Sequence, residues 1–286
     1  LMFKVFEPGA LLRLIETEKV TNITGVPTML VAMLEALAQT PRDVSTVQMA
    51  VSGGSMVAPE LVRQVRETFG CDFITVYGQT ELSPVVTQHH HNDSIEDICN
   101  NVGQPMPQTE ISIRDVADNK VLPIDTVGEI CTRGYCKMIE YNNNPEATAE
   151  TIDADGWLHS GDLGAMDARG YVRVTGRVKE MIIRGGENMF PAEIENLLVE
   201  HPSVAEAAVV GLPDDKWGEV IACFARPEPG EMIDPQALRA FCRSHLAAQK
   251  TPTVWFSVSE YPLTGSGKVQ KFALRDGVAA GNYDPL

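Results

Sequence analysis

Positive charge is scarce in this chain: 23 Lys and Arg stand against 39 Asp and Glu over 286 residues, a formal net charge of -16. Most of such a surface repels nucleic acid and anionic membrane, so an anionic ligand has to meet a local cationic site. Cysteine is present but unorganised. The residues at 71, 99, 131, 136, 223 and 242 form no Cys-x-x-Cys pair and no dense framework of the kind that staples a small secreted domain. Reduced thiols in a cytoplasmic compartment are the expectation. There is no apolar run long enough to span a bilayer, and Leu1-Met2-Phe3-Lys4 lacks the basic-then-apolar layout of a signal peptide. Internal repeats and low-complexity tracts are missing as well. What remains, 44% hydrophobic and 22% charged, suits a globular protein of one large or two ordinary domains. Because Leu1 precedes any methionine and an amphipathic segment, Ala10 to Lys19, begins almost at once, the chain is expected to be part of a longer one.

From Pro8 to about Tyr77 helix-like and strand-like stretches alternate. Helices are expected over Ala10 to Lys19, Thr28 to Gln39 and Pro59 to Phe69, and strands over Thr21 to Val26, Val47 to Val51 and Phe73 to Val76. This rhythm predicts an α/β domain with a parallel sheet covered by helices, whose ligand loops leave the strands at their carboxyl ends. Two such loops follow expected strands: Ser52-Gly53-Gly54-Ser55 after Val51, and Tyr77-Gly78-Gln79-Thr80-Glu81 after Val76. Beyond Glu81 short strands separated by Gly, Pro and Asn (Glu110 to Arg114, Gly128 to Thr132, Tyr171 to Thr175) predict a β-rich subdomain. After Gly176-Arg177 the pattern changes again. Strands at Met181 to Ile183, Ala205 to Gly211, Val220 to Ala225 and Trp255 to Val258, with helices at Pro191 to Glu200 and Pro235 to Ala247, predict a small α+β domain. The boundary is set near Lys179, giving domains of residues 1–178 and 179–286.

Tyr77 to Glu81 is the strongest local signal. A glycine lets a planar ligand approach the backbone, a tyrosine ring can stack on a base, and Thr80 and Glu81 offer oxygens for phosphate and Mg²⁺. An ordinary strand-ending turn gives the same pentapeptide, so its meaning depends on its partners. Ser160-Gly161-Asp162-Leu163-Gly164 puts a carboxylate on a glycine-flanked turn, suited to two ribose hydroxyls or to an Asx turn. Gly176-Arg177-Val178-Lys179-Glu180 and Arg184-Gly185-Gly186-Glu187-Asn188 add cations and a glycine pair that also fit a surface ion-pair cluster. Pro262 to Lys268 imitates a phosphate-binding P-loop, but Pro262 stands where that motif needs glycine and Val269 where it needs a hydroxyl. It offers one lysine on a glycine-rich loop. His89-His90-His91 is read as a solvated loop rather than a metal site, since consecutive side chains diverge; Cys131 and Cys136 are read as packing.

Taken in this order, the motifs resemble the adenylate-forming enzymes, a family that includes acyl-CoA synthetases, firefly-type luciferases and peptide-synthetase adenylation domains. The resemblance runs from Thr21 to Arg275. It implies ATP, Mg²⁺ and coenzyme A as ligands beside a small carboxylic acid. Gly53, Gly54, Ser55, Tyr77, Gly78 and Gln79 would flank adenine and the acyl group, with Thr80 and Glu81 catalytic and Glu81 assisting Mg²⁺. Asp162 would hold the ribose, Arg177 the ribose and phosphate, and Lys268 the α-phosphate and substrate carboxylate. Lys179 would be the hinge between domains, and Gly185, Gly186 and Glu187 belong to the face shown to the CoA thiol. The stretch Gly185 to Glu195 and Asp215-Lys216-Trp217-Gly218-Glu219 are in the style of acid–CoA ligases, and this hinge-region style with Gln79 leans toward medium- or long-chain fatty acids, features that aryl and short-chain relatives share. A carrier-loading enzyme and a non-catalytic nucleotide-binding module remain open. No segment before Tyr77 matches the family's Ser/Thr/Gly-rich loop for the β- and γ-phosphates, so the isolated chain is expected to be inactive.

Overall fold

The computed structural model describes residues 5–54, 57–264 and 269–286. Two compact units emerge, one of Leu1–Ser160 with Gly164–Val174 and one of Gly161–Leu163 with Thr175–Leu286. The first begins α1 (Pro8–Glu18), β1 (Asn22–Thr24), α2 (Pro27–Gln39), β2 (Met49–Gly53), α3 (Pro59–Phe69) and β3 (Asp72–Tyr77). Each of these helices opens on proline, which loses nothing there because the first N–H has no partner within the helix. β1, β2 and β3 pair in parallel, with Ile23 opposite Ala50 and Ala50 opposite Phe73. Parallel neighbours need a crossover, and α2 and α3 supply the two required here. Leu61, Val62, Val65 and Phe69 form the buried face of α3 and join Leu12, Ile15, Leu30, Met33, Ala50 and Phe73 in one core. The sheet continues through β4 (Thr87–Gln88) and β5 (Gln104–Pro105), both antiparallel, so it is parallel only over its first three strands. α4 (Ile95–Asn100) adds Ile98 to the same core.

A four-stranded sheet follows, in the order β6 (Thr109–Arg114), β7 (Gly128–Gly134), β8 (Leu158–Met166) and β9 (Val172–Arg177), with α5 (Pro145–Thr151) before β8. Here one expectation is corrected. Ser160 to Gly164 is not a turn but lies inside the nine-residue β8, because Leu158, Leu163 and Ala165 supply buried contacts on both sides of the two glycines.

The second unit contains β10 (Ile182–Arg184), β11 (Glu187–Met189), α6 (Pro191–Leu198), β12 (Val204–Asp214), β13 (Gly218–Pro227), α7 (Pro235–His245), β14 (Val254–Ser257) and α8 (Lys271–Ala279). Its sheet runs β11-β10-β13-β12, with β14 parallel to β13. Ile221 through Ala225 are all buried, the signature of a strand covered on both faces. Ile221, Cys223 and Ala225 meet Ile194 and Leu198 of α6 and Leu238 of α7. Ala222 and Phe224 face Phe256, Leu274 and Tyr283 instead. Phe224 stacks on Phe256 with ring centroids 4.5 Å apart and meets Tyr283 edge-on at 5.0 Å. Phe224→Ala removes the shared member of both ring pairs and is expected to cost about 3–5 kcal/mol, measured by denaturant unfolding of the second unit. A cost below about 1 kcal/mol, the range of ordinary substitutions, would mean that this face of β13 contributes little.

Candidate active site

Parallel pairing puts Ser52 opposite Thr75 and Gly53 opposite Val76, so the chain leaves β2 and β3 side by side at one edge of the sheet. That edge gathers Gly53, Gly54, Tyr77, Gly78 and Gln79; Ser55 lies outside the described residues. Gly78 is glycine for a steric reason: a Cβ there would overlap the Pro84 carbonyl as the chain folds back over the loop. Val86 N–H then donates to the Tyr77 carbonyl at 2.8 Å. Tyr77 packs against both apolar clusters of the neighbouring β region, one containing Leu82 and Leu158 and the other Ile113 and Ile130. Ser52 is fully buried, and its hydroxyl has no hydrogen-bond partner among the described residues.

Thr80 is exposed and begins a short helical turn ending at Leu82, whose side chain is buried. Between them Glu81 is held from two directions. Its carbonyl accepts from Met138 N–H at 2.7 Å, and its Oε1 accepts from the Tyr141 hydroxyl at 2.8 Å. Burial and the Glu81 carboxylate together push the Tyr141 hydroxyl above its usual pKa, so it remains a donor. Tyr141 was not singled out in the sequence, and nothing in Glu140-Tyr141-Asn142 signals a partner 60 residues upstream. A hydroxyl and an oriented carboxylate are hard oxygen donors, which fits Mg²⁺.

In the second unit Arg177 Nε stands 2.9 Å from Asp162 Oδ1, joining two residues 15 positions apart in sequence, with the carboxylate buried and the arginine exposed. Lys179 is exposed in the short turn Val178–Glu180. Gly185 and Gly186 form the tip of the hairpin from β10 to β11, where Arg184 pairs with Glu187. Gly185 has φ 61° and faces Trp217, whose ring would lie 3.0 Å from any added Cβ. The Arg184 guanidinium and the Lys216 ammonium lie 5.2 and 4.8 Å from that ring. Lys268 lies outside the described residues. On either side of it Leu263 bridges Val269, and Gln270 N–H donates to the Pro262 carbonyl at 2.8 Å.

Two family models match this chain: the AMP-binding enzyme over residues 2–142, and the AMP-binding enzyme C-terminal domain over residues 193–268. The chain belongs to the AMP-binding enzyme family. Among curated members it is 42% identical over 95% of its length to YngI of Bacillus subtilis (strain 168), provisionally named an acyl-CoA synthetase, and 40% identical over 93% to the rat mitochondrial medium-chain acyl-CoA ligase ACSF2. Those matches cover 50% and 43% of the two relatives, so the chain spans about half the length of the curated relatives it matches. Among solved structures, the amide bond synthetase McbA of Marinactinospora thermotolerans superposes on 96% of the chain with a TM-score of 0.81 and 33% identity. ATP-bound MatB of Rhodopseudomonas palustris gives 0.82 and 29%. The matches cover 56% and 54% of those chains.

Other polar clusters in this family member have local explanations. Glu129, Cys131 and His159 bring a carboxylate, a thiol and an imidazole within 4.8 Å of one another. His159 sits between two carboxylates, Nδ1 2.7 Å from Glu129 and Nε2 3.6 Å from Asp153, which accounts for the grouping. Burial, and then the Glu129 charge, push the Cys131 thiol up to about 12, so it behaves as the packing residue expected. The histidine run needs a correction. His90 and His91 are exposed, but His89 is 1% exposed and bonded to Thr75 Oγ1 at 2.7 Å and Asn101 Oδ1 at 2.8 Å. It follows directly on β4 at the sheet, so its ring turns inward where the next two turn out. Tyr141→Phe removes only the donor to Glu81 and is expected to lower unfolding stability by about 1 kcal/mol; an unchanged denaturation midpoint would show that the phenol does not restrain the carboxylate.

Proposed function

We propose that the protein carrying this chain is an ATP-dependent acid–CoA ligase. It forms an acyl-adenylate with loss of pyrophosphate and then passes the acyl group to the CoA thiol. The observation that carries this reading is the shared exit of the β2 and β3 loops, with Glu81 held beside them by Tyr141. In this reading Gly53, Gly54, Ser55, Tyr77, Gly78 and Gln79 flank adenine and the acyl group. Thr80 and Glu81 supply oxygens to Mg²⁺, which when bound neutralises phosphate charge. Asp162 accepts from the ribose hydroxyls, oriented by Arg177 at 2.9 Å. Residues 1–178 and 179–286 act as the large and the mobile domain, with Lys179 as hinge. Rotation there brings Gly185, Gly186 and Glu187 to the thiol in place of Lys268.

Lys268 answers the main electrostatic problem of the first half-reaction. A carboxylate approaching the α-phosphate to about 4 Å is repelled by about 4 kcal/mol per pair of unit charges at an effective dielectric near 20. That is roughly a thousandfold in rate. An ammonium bridging both oxygens offsets it where the charge is being redistributed.

Coenzyme A is supported as acceptor by the names of the two curated relatives, and a medium- or long-chain fatty acid by the name of ACSF2. The likeness to an amide bond synthetase favours a second reading, in which the adenylate is passed to an amine. All six cysteines are free, which suits a reducing compartment, and no helix among the described residues is long and apolar enough to cross a membrane. Incubating the protein with ATP, Mg²⁺, CoA and short-, medium- and long-chain or aryl acids should yield AMP and an acyl thioester; AMP formed only with an added amine would select the second reading. Lys268→Ala is expected to abolish pyrophosphate exchange while leaving thioester formation from supplied acyl-adenylate, and near-normal exchange would remove Lys268 from its role. Lys179→Pro should do the opposite, and intact thioesterification by that variant would refute the hinge.

A further inference from the structure

Lys271 opens α8, three residues after Lys268, and the proposed function gives it no part. Its side chain is 17% exposed, and its ammonium lies 2.9 Å from Glu180 Oε2 and 2.8 Å from Glu195 Oε1. Lysine is seldom buried unless it is paired. Burial alone would lower its pKa, but the attraction of Glu195 and Glu180 outweighs this and raises it, so the group stays charged. Glu195 Oε1 also accepts from Val209 N–H at 2.7 Å, which ties α6 to β12. Glu180 closes the turn Val178–Glu180, directly after Lys179. One ammonium therefore joins three separate stretches of the second unit: the turn that follows β9, helix α6 and the start of α8.

This cluster is a poor device for stability. Two carboxylates share one cation, and removing ions from water costs about as much as their attraction returns, so an apolar trio of similar size would hold the fold as well. Its geometry is better suited to fixing position. The Gln270 side chain donates to the Leu263 carbonyl at 2.9 Å, and Leu263 bridges Val269, so the chain is drawn together on both sides of the Lys268 segment. Lys271 fastens the start of α8, which follows that segment, to the hinge turn.

Building on the proposed ligase reading, we propose that Lys271 is a positioning residue for adenylation. By clamping Glu180 and Glu195 it fixes the start of α8 to the turn beside Lys179, so that Lys268, three residues upstream, stays tethered within about 11 Å of that anchor when the hinge rotates. The test compares Lys271→Met, Glu180→Gln and the double variant in the protein carrying this sequence, with Lys268→Ala alongside. Both half-reactions are followed, pyrophosphate exchange and thioester formation from supplied acyl-adenylate. Lys271→Met should lower kcat for exchange at least tenfold, with KM for ATP and the thioester half-reaction changed less than twofold. Glu180→Gln should give a smaller loss of the same kind, and adding it to Lys271→Met should lower kcat no further. Equal losses in both half-reactions, no loss, or additive losses would overturn the proposal. If Lys271→Met does not fold, Glu180→Gln decides alone, and unchanged exchange by it would also overturn the proposal. Retained exchange in Lys268→Ala would instead sink the ligase reading on which this one rests.

Discussion

The closeness of β2 and β3 is the constraint on which the first unit's loops depend. Parallel strands lie less than 5 Å apart, and Gly53 stands directly opposite Val76. A Cβ on Gly53 would come within 2.8 Å of the Val76 carbonyl, so the two backbones leave the sheet together only because that side chain is missing. Crossovers through α2 and α3 make both strands point the same way, and so both loops emerge at the same edge. Had β3 run antiparallel, Tyr77 to Glu81 would have ended at the opposite edge from Gly53. The parallel arrangement is thus what turns two short motifs into a single place.

Electrostatics works under a different constraint. With a net charge of -16 the protein has few cations to spend, and several of them hold carboxylates in place rather than simply decorating the surface. Arg177 orients a buried Asp162, and Lys271 gathers Glu180 and Glu195. Tyr141 does for Glu81 with a neutral donor what these do with charge. The common effect is to fix acidic groups whose direction matters more than their charge. Buried or half-buried pairs of this kind are screened less by salt than exposed ones.

Much of the architecture was legible because the sequence punctuates it. Proline opens α1, α2, α3, α5, α6 and α7, and alternation or continuous apolar runs mark most of the longer strands. What was misread was local composition overruled by burial. Gly161 and Gly164 make Ser160 to Gly164 look like a turn, yet Leu163 and Ala165 are buried and draw the segment into β8. His89 sits in a polar triplet that looks solvated, yet the Thr75 and Asn101 side chains satisfy its ring and let it be buried. Neither partner is a neighbour in sequence.

The sequence by itself determined the type of most of the longer elements, the change of texture after Gly176-Arg177, and the motifs by which the AMP-binding family is recognised. These depend on near-neighbour properties: side-chain periodicity, the fixed φ of proline, the freedom of glycine. Tertiary structure alone decided which groups stand beside which. Tyr141 meets Glu81 across 60 residues and Lys271 meets Glu180 across 91, and no periodicity reports such pairs. Hydrogen bonds and ion pairs act over about 3 Å in space whatever the distance along the chain. The residues that chemistry requires could therefore be named from the sequence, while the residues that hold them in place appeared only once the chain had folded.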